Sequence, residues 1–214
     1  MKTLQEVYKG TGNLNTKENW DALHFYYQGN LNYPTKFKFI SQELLTIQNA
    51  KVLEIGCGWG HLLKQIKADH PDFSIEGMDF SKVAVDFINS QGISCKEGTI
   101  PEDLKNYSDY DIVIGTELLE HFEESDRIKI VKQVYQILKK GGKAIFTVPD
   151  NIMSPNEERF HLTCFNKDSF KSLLGEVFDF CGVVSKEFLV SDNPPPEGML
   201  WAEAPFLIGI GYKQ

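Results

Sequence analysis

The chain has 214 residues, 42% hydrophobic and 24% charged, and a formal net charge of −8. That length predicts one domain with a full hydrophobic core, and the composition excludes a disordered chain. An acidic surface repels phosphate backbones and anionic lipid, which argues against a DNA binder and against a protein held on a membrane by charge.

The cysteines Cys57, Cys95, Cys164 and Cys181 form no C-x-x-C pair. Neither a zinc ribbon nor a disulfide framework is expected, and reduced thiols point to a cytoplasmic protein. The polar start, Met1 to Gly12, has no apolar segment of a signal peptide. No apolar run approaches the length of a membrane span.

In chain order, residues 1–19 are polar and read as a loose lead-in. Asn19–Tyr27 (NWDALHFYY) fits an aromatic helix, whose Trp20, Phe25, Tyr26 and Tyr27 either cover an apolar substrate or simply pack. Thr35–Thr46 carries Phe37, Ile40, Leu44 and Leu45 along one helical face. Lys51–Ile55 (KVLEI) is a short apolar strand running into a glycine-rich turn. Leu62, Leu63 and Ile66 follow at helical spacing, and Phe73–Met78 is a second strand ending at Asp79. Ser81 can cap the next helix, Gly92–Cys95 is a third strand and Tyr110–Gly115 a fourth. Ile128, Val131, Tyr135 and Leu138 mark a helix that Gly141-Gly142 stops, before a fifth strand, Lys143–Val148. Asp168 can cap a helix with Phe170, Leu173 and Leu174. Phe178–Val190 and Phe206–Tyr212 read as strands around a long loop with Pro194–Pro196, Met199 and Trp201, which covers the substrate or is a plain loop or dimer contact.

Strands alternating with helices predict a parallel sheet, and strands with no helix between them add an antiparallel hairpin at one edge. Val52–Gly60 (VLEIGCGWG) supplies the strongest signal. Glycines let the backbone turn tightly against a ligand, and the helix N-terminus offers free N–H groups. Asp79 lies about 20 residues on, where an acid can hold ribose hydroxyls. Together these predict a cofactor containing adenosine. The dinucleotide fingerprint needs glycine at 61, where this chain has His61. That spacing argues against a nicotinamide-dependent oxidoreductase.

The pattern Glu54-x-Gly56-x-Gly58-x-Gly60 resembles the signature of class I S-adenosylmethionine-dependent methyltransferases. So do EGTIPEDL (97–104), YDIVIGTELLEHF (110–122) and LKKGGKAIFTVPD (138–150), with a weaker likeness in ERFHLTCFNKDSF (158–170). The nearest flavour is the small-molecule group of ubiquinone and menaquinone biosynthesis. The resemblance implies an α/β fold: a Rossmann-like, seven-stranded, mostly parallel sheet with an antiparallel C-terminal hairpin and helices on both faces. It divides a single domain into an N-terminal helical lid (1–48), a cofactor core (51–150) and substrate-side loops with the hairpin (151–214).

The implied cofactor is S-adenosylmethionine, with S-adenosylhomocysteine as product. Its amino-acid end would lie near Glu54 and its ribose on Asp79. The implied contact set is Glu54, Gly56, Cys57, Gly58, Gly60, Asp79, Phe80, Thr99, Ile100, Thr116 and Glu117. The side chains of Cys57 and Trp59 are expected to pack. Gly98 is followed by Thr99 where the family often has an acid, so adenine would rely on backbone near Ile100 or on Glu97.

An oxygen nucleophile benefits from a base, and His121 and His161 are the candidates. Glu117, Glu120, His121 and His161 also resemble the metal set of RNA 3′-end 2′-O-methyltransferases. If the segment is helical, Glu117 and His121 share a face. The plainer expectation has Glu117 lining the cofactor pocket, Glu120 solvated and His121 packing or capping. A divalent metal is compatible but not expected, and an RNA acceptor is disfavoured by the acidic surface. The expected partner is a small-molecule acceptor, most simply a hydroxyl, with the protein a monomer or homodimer. His24, His61 and His70 have no evident partner.

Overall fold

The computed structural model describes residues 1–27, 34–150, 155–156, 158–186 and 205–214. The tripled prolines, Met199, Trp201 and the extension of a strand to Val190 lie outside the described residues, as does the side chain of Tyr27.

Three helices precede the sheet: α1 (Leu4–Lys9), α2 (Lys17–Tyr27) and α3 (Pro34–Gln42). The lead-in is therefore not loose. Thr3 accepts the Glu6 N–H while Glu6 reaches back to the Thr3 backbone, a reciprocal cap that starts α1, and Val7 is buried. Next come β1 (Lys51–Ile55), α4 (His61–Asp69), β2 (Ser74–Asp79), α5 (Lys82–Ser90) and β3 (Ser94–Glu97). The second half is β4 (Tyr110–Thr116), α6 (Glu124–Ile137), β5 (Leu138–Pro149), α7 (Lys167–Gly175), β6 (Phe180–Lys186) and β7 (Phe206–Tyr212).

The strands form one seven-stranded sheet in the order β3-β2-β1-β4-β5-β7-β6. The first five pair in parallel, and β7 runs antiparallel to both β5 and β6. The expected fold class holds. Alternation along the buried strands feeds two cores. Val52, Ile112, Ile114 and Ile145 face α3 and α4, whereas Leu53, Val113, Ala144 and Phe146 face α6 and α7. Each of these valine, isoleucine, leucine and phenylalanine side chains contributes about 1.5–3 kcal/mol by leaving water. Strand order reverses between β1 and β4, and in such sheets ligands bind outside the carboxyl ends of the strands at that point.

Several boundaries differ from the sequence expectation. Leu138 leaves the helix and pairs with Tyr110, so α6 ends before Gly141 and β5 begins early through an irregular register. Asn166, rather than Asp168, caps α7 by accepting the Ser169 N–H. The third strand is Ser94–Glu97, shifted from 92–95 because Gly92 takes the turn (φ 72°). Ser81 caps α5 as expected. On β7, an added Cβ at Gly209 would lie 2.5 Å from Leu174, and one at Gly211 would lie 2.3 Å from the Phe178 ring. Those glycines let α7 and the chain after it press onto the sheet.

Candidate active site

The turn after β1 is built by backbone conformation. Gly56, Gly58 and Gly60 all have positive φ (67°, 49° and 66°). An added Cβ would lie 2.7 Å from Leu118 at Gly56 and 2.9 Å from Ile88 at Gly60. The turn is tied to β2 by Gly56 and Cys57 N–H groups donating to the Met78 carbonyl. Asp79, only 4% exposed, accepts from the Gly58 N–H on one oxygen and the Ser81 N–H on the other, both at 2.9 Å. This carboxylate fixes the turn as well as facing the cavity. Gly60 starts α4 without a side-chain cap, so the first N–H groups of that helix have no capping side chain.

Glu54 is 2% exposed and accepts from Thr116 Oγ1 at 3.2 Å, while its second oxygen has no partner among the described residues. Burial pushes its carboxyl up to about 8. Cys57 turns its thiol into the interior, 3.5 Å from the Cys95 sulfur, and burial pushes its pKa well up. Trp59 packs edge-on against Phe87. Phe80, Thr99 and Ile100 line the same cavity, and the Thr99 N–H is held by Asp103 at 2.8 Å. Glu97 is absent from that lining and pairs with Lys17.

The next wall follows β4, the strand beside β1. Residues 119–121 form a single 3₁₀ turn and Glu117 has φ 47°, so the expected helical face joining Glu117 to His121 does not form. Glu117 instead accepts from Thr147 Oγ1 at 3.0 Å and pairs with Lys36 Nζ at 2.7 Å. Glu120 is not solvated: it is 1% exposed, and neither carboxylate oxygen has a partner among the described residues. Burial, then the neighbouring Glu117 charge, pushes its carboxyl well up. Its carbonyl accepts from the Leu162 and Thr163 N–H groups, which brings the later loop against the strand end.

His121 shares Nδ1 with the Phe160 carbonyl at 2.9 Å, and its ring stands 4.9 Å from that of His161. Burial, reinforced by His161, pushes His121 down to about 3, so the imidazole is neutral at physiological pH. Ligand atoms of Glu120, His121 and His161 lie within 4.8 Å of one another. A carboxylate and two imidazoles suit a divalent cation of the borderline class. Glu117, engaged by Lys36, is not part of that group.

The third wall is N-terminal. Asn15 donates to the carbonyls of His121 (3.1 Å) and Phe160 (2.8 Å) and accepts from Trp20 Nε1 (3.2 Å). Ser81 donates to Asp21 at 2.5 Å, which seats α2 on the start of α5. Trp20 lines the cavity, whereas Phe25 and Tyr26 are about half exposed and absent from its lining. The walls enclose about 660 Å³, within the range of small-molecule sites.

The structure thus brings Glu54, Gly56, Cys57, Gly58, Asp79, Phe80, Thr99, Ile100, Thr116, Glu117, His121 and His161 to one cavity, while Gly60 is absent from its lining and packs toward Ile88. Asn15, His24 and Lys36 also line it, and the sequence pattern did not single them out as site residues. Trp20 and His24 stand four apart, one face of a helix, which was the available signal for His24. Nothing in the sequence marked Lys36 beyond a cation on an apolar helix.

The methyltransferase-domain family model matches residues 27–177. Among curated proteins, a ubiquinone biosynthesis O-methyltransferase of Coxiella burnetii is 30% identical over 120 residues, 53% of this chain and 49% of that protein. An uncharacterised methyltransferase of Bacillus subtilis is 32% identical over 101 residues, 45% of this chain and 55% of that protein. The chain spans about half the length of these curated relatives. An Archaeoglobus fulgidus S-adenosylmethionine-dependent methyltransferase superposes with TM-score 0.68 at 16% identity, covering 88% of this chain and 98% of that one. A Haemonchus contortus phosphoethanolamine N-methyltransferase, solved with phosphomonomethylethanolamine and S-adenosylhomocysteine, gives 0.67 at 12% identity, covering 100% of this chain and 60% of that one. With the matched model spanning most of the chain, and the glycine turn and Asp79 in place, this protein belongs to the class I S-adenosylmethionine-dependent methyltransferases.

Proposed function

We propose that this protein transfers a methyl group from S-adenosylmethionine to a hydroxyl oxygen of a small-molecule acceptor. The observation that carries the reading is the pair of imidazoles, His121 beside His161, in the lining of the same cavity as the glycine turn. The Coxiella relative's name, an O-methyltransferase, points the same way.

The cofactor supplies an activated sulfonium methyl, so the protein's work is to position the nucleophile and exclude water. Glu54 and Thr116 receive the amino-acid end, and Asp79 receives the ribose. His121 is fixed by its Nδ1 contact with the Phe160 carbonyl and lines the cavity where the acceptor would lie. His161, its ring 4.9 Å from that of His121, is the base that takes the acceptor's hydroxyl proton as the methyl is transferred. Trp20, Phe160 and Leu162 shield the site from water.

The test is release of S-adenosylhomocysteine across a panel of phenols, catechols, carboxylates and amines. Turnover on hydroxylated acceptors, lost in His161→Ala, supports the reading. Methylation confined to amines overturns it.

A second reading rests on the unpartnered Glu120 oxygens. Glu120, His121 and His161 would hold a divalent cation, which lowers the pKa of a bound hydroxyl. Activity abolished by chelation, restored by Mg²⁺ or Mn²⁺ and directed to RNA 3′ ends would favour it over the metal-free route.

A further inference from the structure

Helix α2 belongs to the cofactor site as much as to any acceptor lid. Two side-chain contacts seat it there: Asp21 with Ser81 at 2.5 Å, and Lys17 with Glu97 at the end of β3. One turn on from Asp21, His24 is 5% exposed and lines the cavity. Its ring is held between Trp20, at 5.7 Å, and Trp59, at 6.1 Å, and both contacts leave its nitrogens unused. Nδ1 has no hydrogen-bond partner among the described residues. Nε2 lies over the glycine turn, 3.7 Å from where a Cβ on Gly58 would sit. The charges that face the ring are the carboxylates of Asp79 and Asp21, yet burial outweighs them and lowers the imidazole's pKa.

Nδ1 is sealed from solvent, so Nε2, over the turn, is the nitrogen that can reach a ligand there, and the tautomer with its proton on Nε2 makes it a donor. The ligand expected beside Asp79 is a ribose, whose vicinal hydroxyls each donate and accept. The Asp79 carboxylate can only accept, and its oxygens already take one N–H each, from Gly58 in the turn and from Ser81 at the start of α5. A hydroxyl donating to Asp79 needs a donor for its own lone pairs, and a neutral imidazole N–H is one.

We infer that His24 is a cofactor-binding residue that donates to a ribose hydroxyl held by Asp79, so that α2 closes the nucleoside end of the site. The inference rests on the S-adenosylmethionine reading above. It assigns Trp20 and Trp59 the role of positioning the imidazole, and it makes an intact ribose diol a condition of tight binding.

The experiment is calorimetric titration of S-adenosylhomocysteine and its 2′-deoxy and 3′-deoxy analogues into the wild type, His24→Phe and His24→Gln. Phenylalanine keeps a ring between the tryptophans but cannot bond, whereas glutamine restores a donor. Melting of the free proteins checks that each is folded. His24→Phe is expected to weaken S-adenosylhomocysteine about three- to tenfold, the range of one hydrogen bond. It should leave the analogue lacking the contacted hydroxyl unaffected, and His24→Gln should recover part of the loss. Equal binding of S-adenosylhomocysteine by wild type and His24→Phe overturns the inference. So does an equal loss for all three ligands, which would mark a purely structural ring. Failure of the wild type itself to bind S-adenosylhomocysteine would instead sink the cofactor reading, and the inference with it.

Discussion

Glu54 offers the sharpest quantitative prediction. Its carboxyl is buried at the base of the glycine turn, with one bond from Thr116 and one oxygen without a partner among the described residues, and burial raises it from 4.5 to about 8. Below pH 4.5 the group is protonated in both folded and unfolded chains and adds no pH dependence. Between 4.5 and about 8 the folded protein keeps a proton that the unfolded chain has lost. Stability therefore falls as pH rises, by about 1.4 kcal/mol per unit. Across the whole window of about 3.5 units the loss is at most about 5 kcal/mol. Above about 8 it levels off.

Glu54→Gln keeps the acceptor for Thr116 and removes the titration. Urea unfolding of both proteins from pH 5 to pH 8 reads the effect as a difference, which cancels every other group titrating in that range. The variant should gain on the wild type steadily as pH rises. Parallel stability profiles would refute the reasoning, because the carboxyl would then be ionised at little cost through contact with water.

Gly60→Ala combines a left-handed backbone with a Cβ 2.9 Å from Ile88, and should destabilise by about 2–3 kcal/mol in urea unfolding while weakening S-adenosylhomocysteine binding. Gly211→Ala drives a methyl into the Phe178 ring at 2.3 Å; it should lose about 1–3 kcal/mol of stability and leave ligand affinity unchanged in the protein that remains folded.

The features legible in the sequence are those written locally. A strand, a glycine turn and a helix follow one another within Lys51–Asp69, and the acid closing β2 is set by the same register, so residue order alone specifies the cofactor cradle. The mostly parallel sheet followed from apolar runs alternating with helical periods. Where sequence reasoning failed, a distant partner decided. Leu138 fits the helical period of α6, but Tyr110 recruits it into the ladder. Glu120 looks like a surface acid until the Leu162 and Thr163 N–H groups fold over its carbonyl. Glu117 is claimed by Lys36, from a helix about 80 residues earlier in the chain, which removes it from the histidine group. His24 meets Trp59 and the glycine turn only because Asp21 and Lys17 seat α2 on the sheet edge.

The central claim is that the turn and Asp79 hold an S-adenosyl ligand. Calorimetric titration of S-adenosylmethionine, S-adenosylhomocysteine and NADH into the wild type and Asp79→Ala tests it most directly. The wild type should bind both S-adenosyl ligands and not NADH. The variant, deprived of a charge-assisted hydrogen bond to ribose and of the anchor for Gly58, should lose at least about tenfold in affinity. Binding of NADH alone, or of neither S-adenosyl ligand by a folded wild type, would contradict the claim.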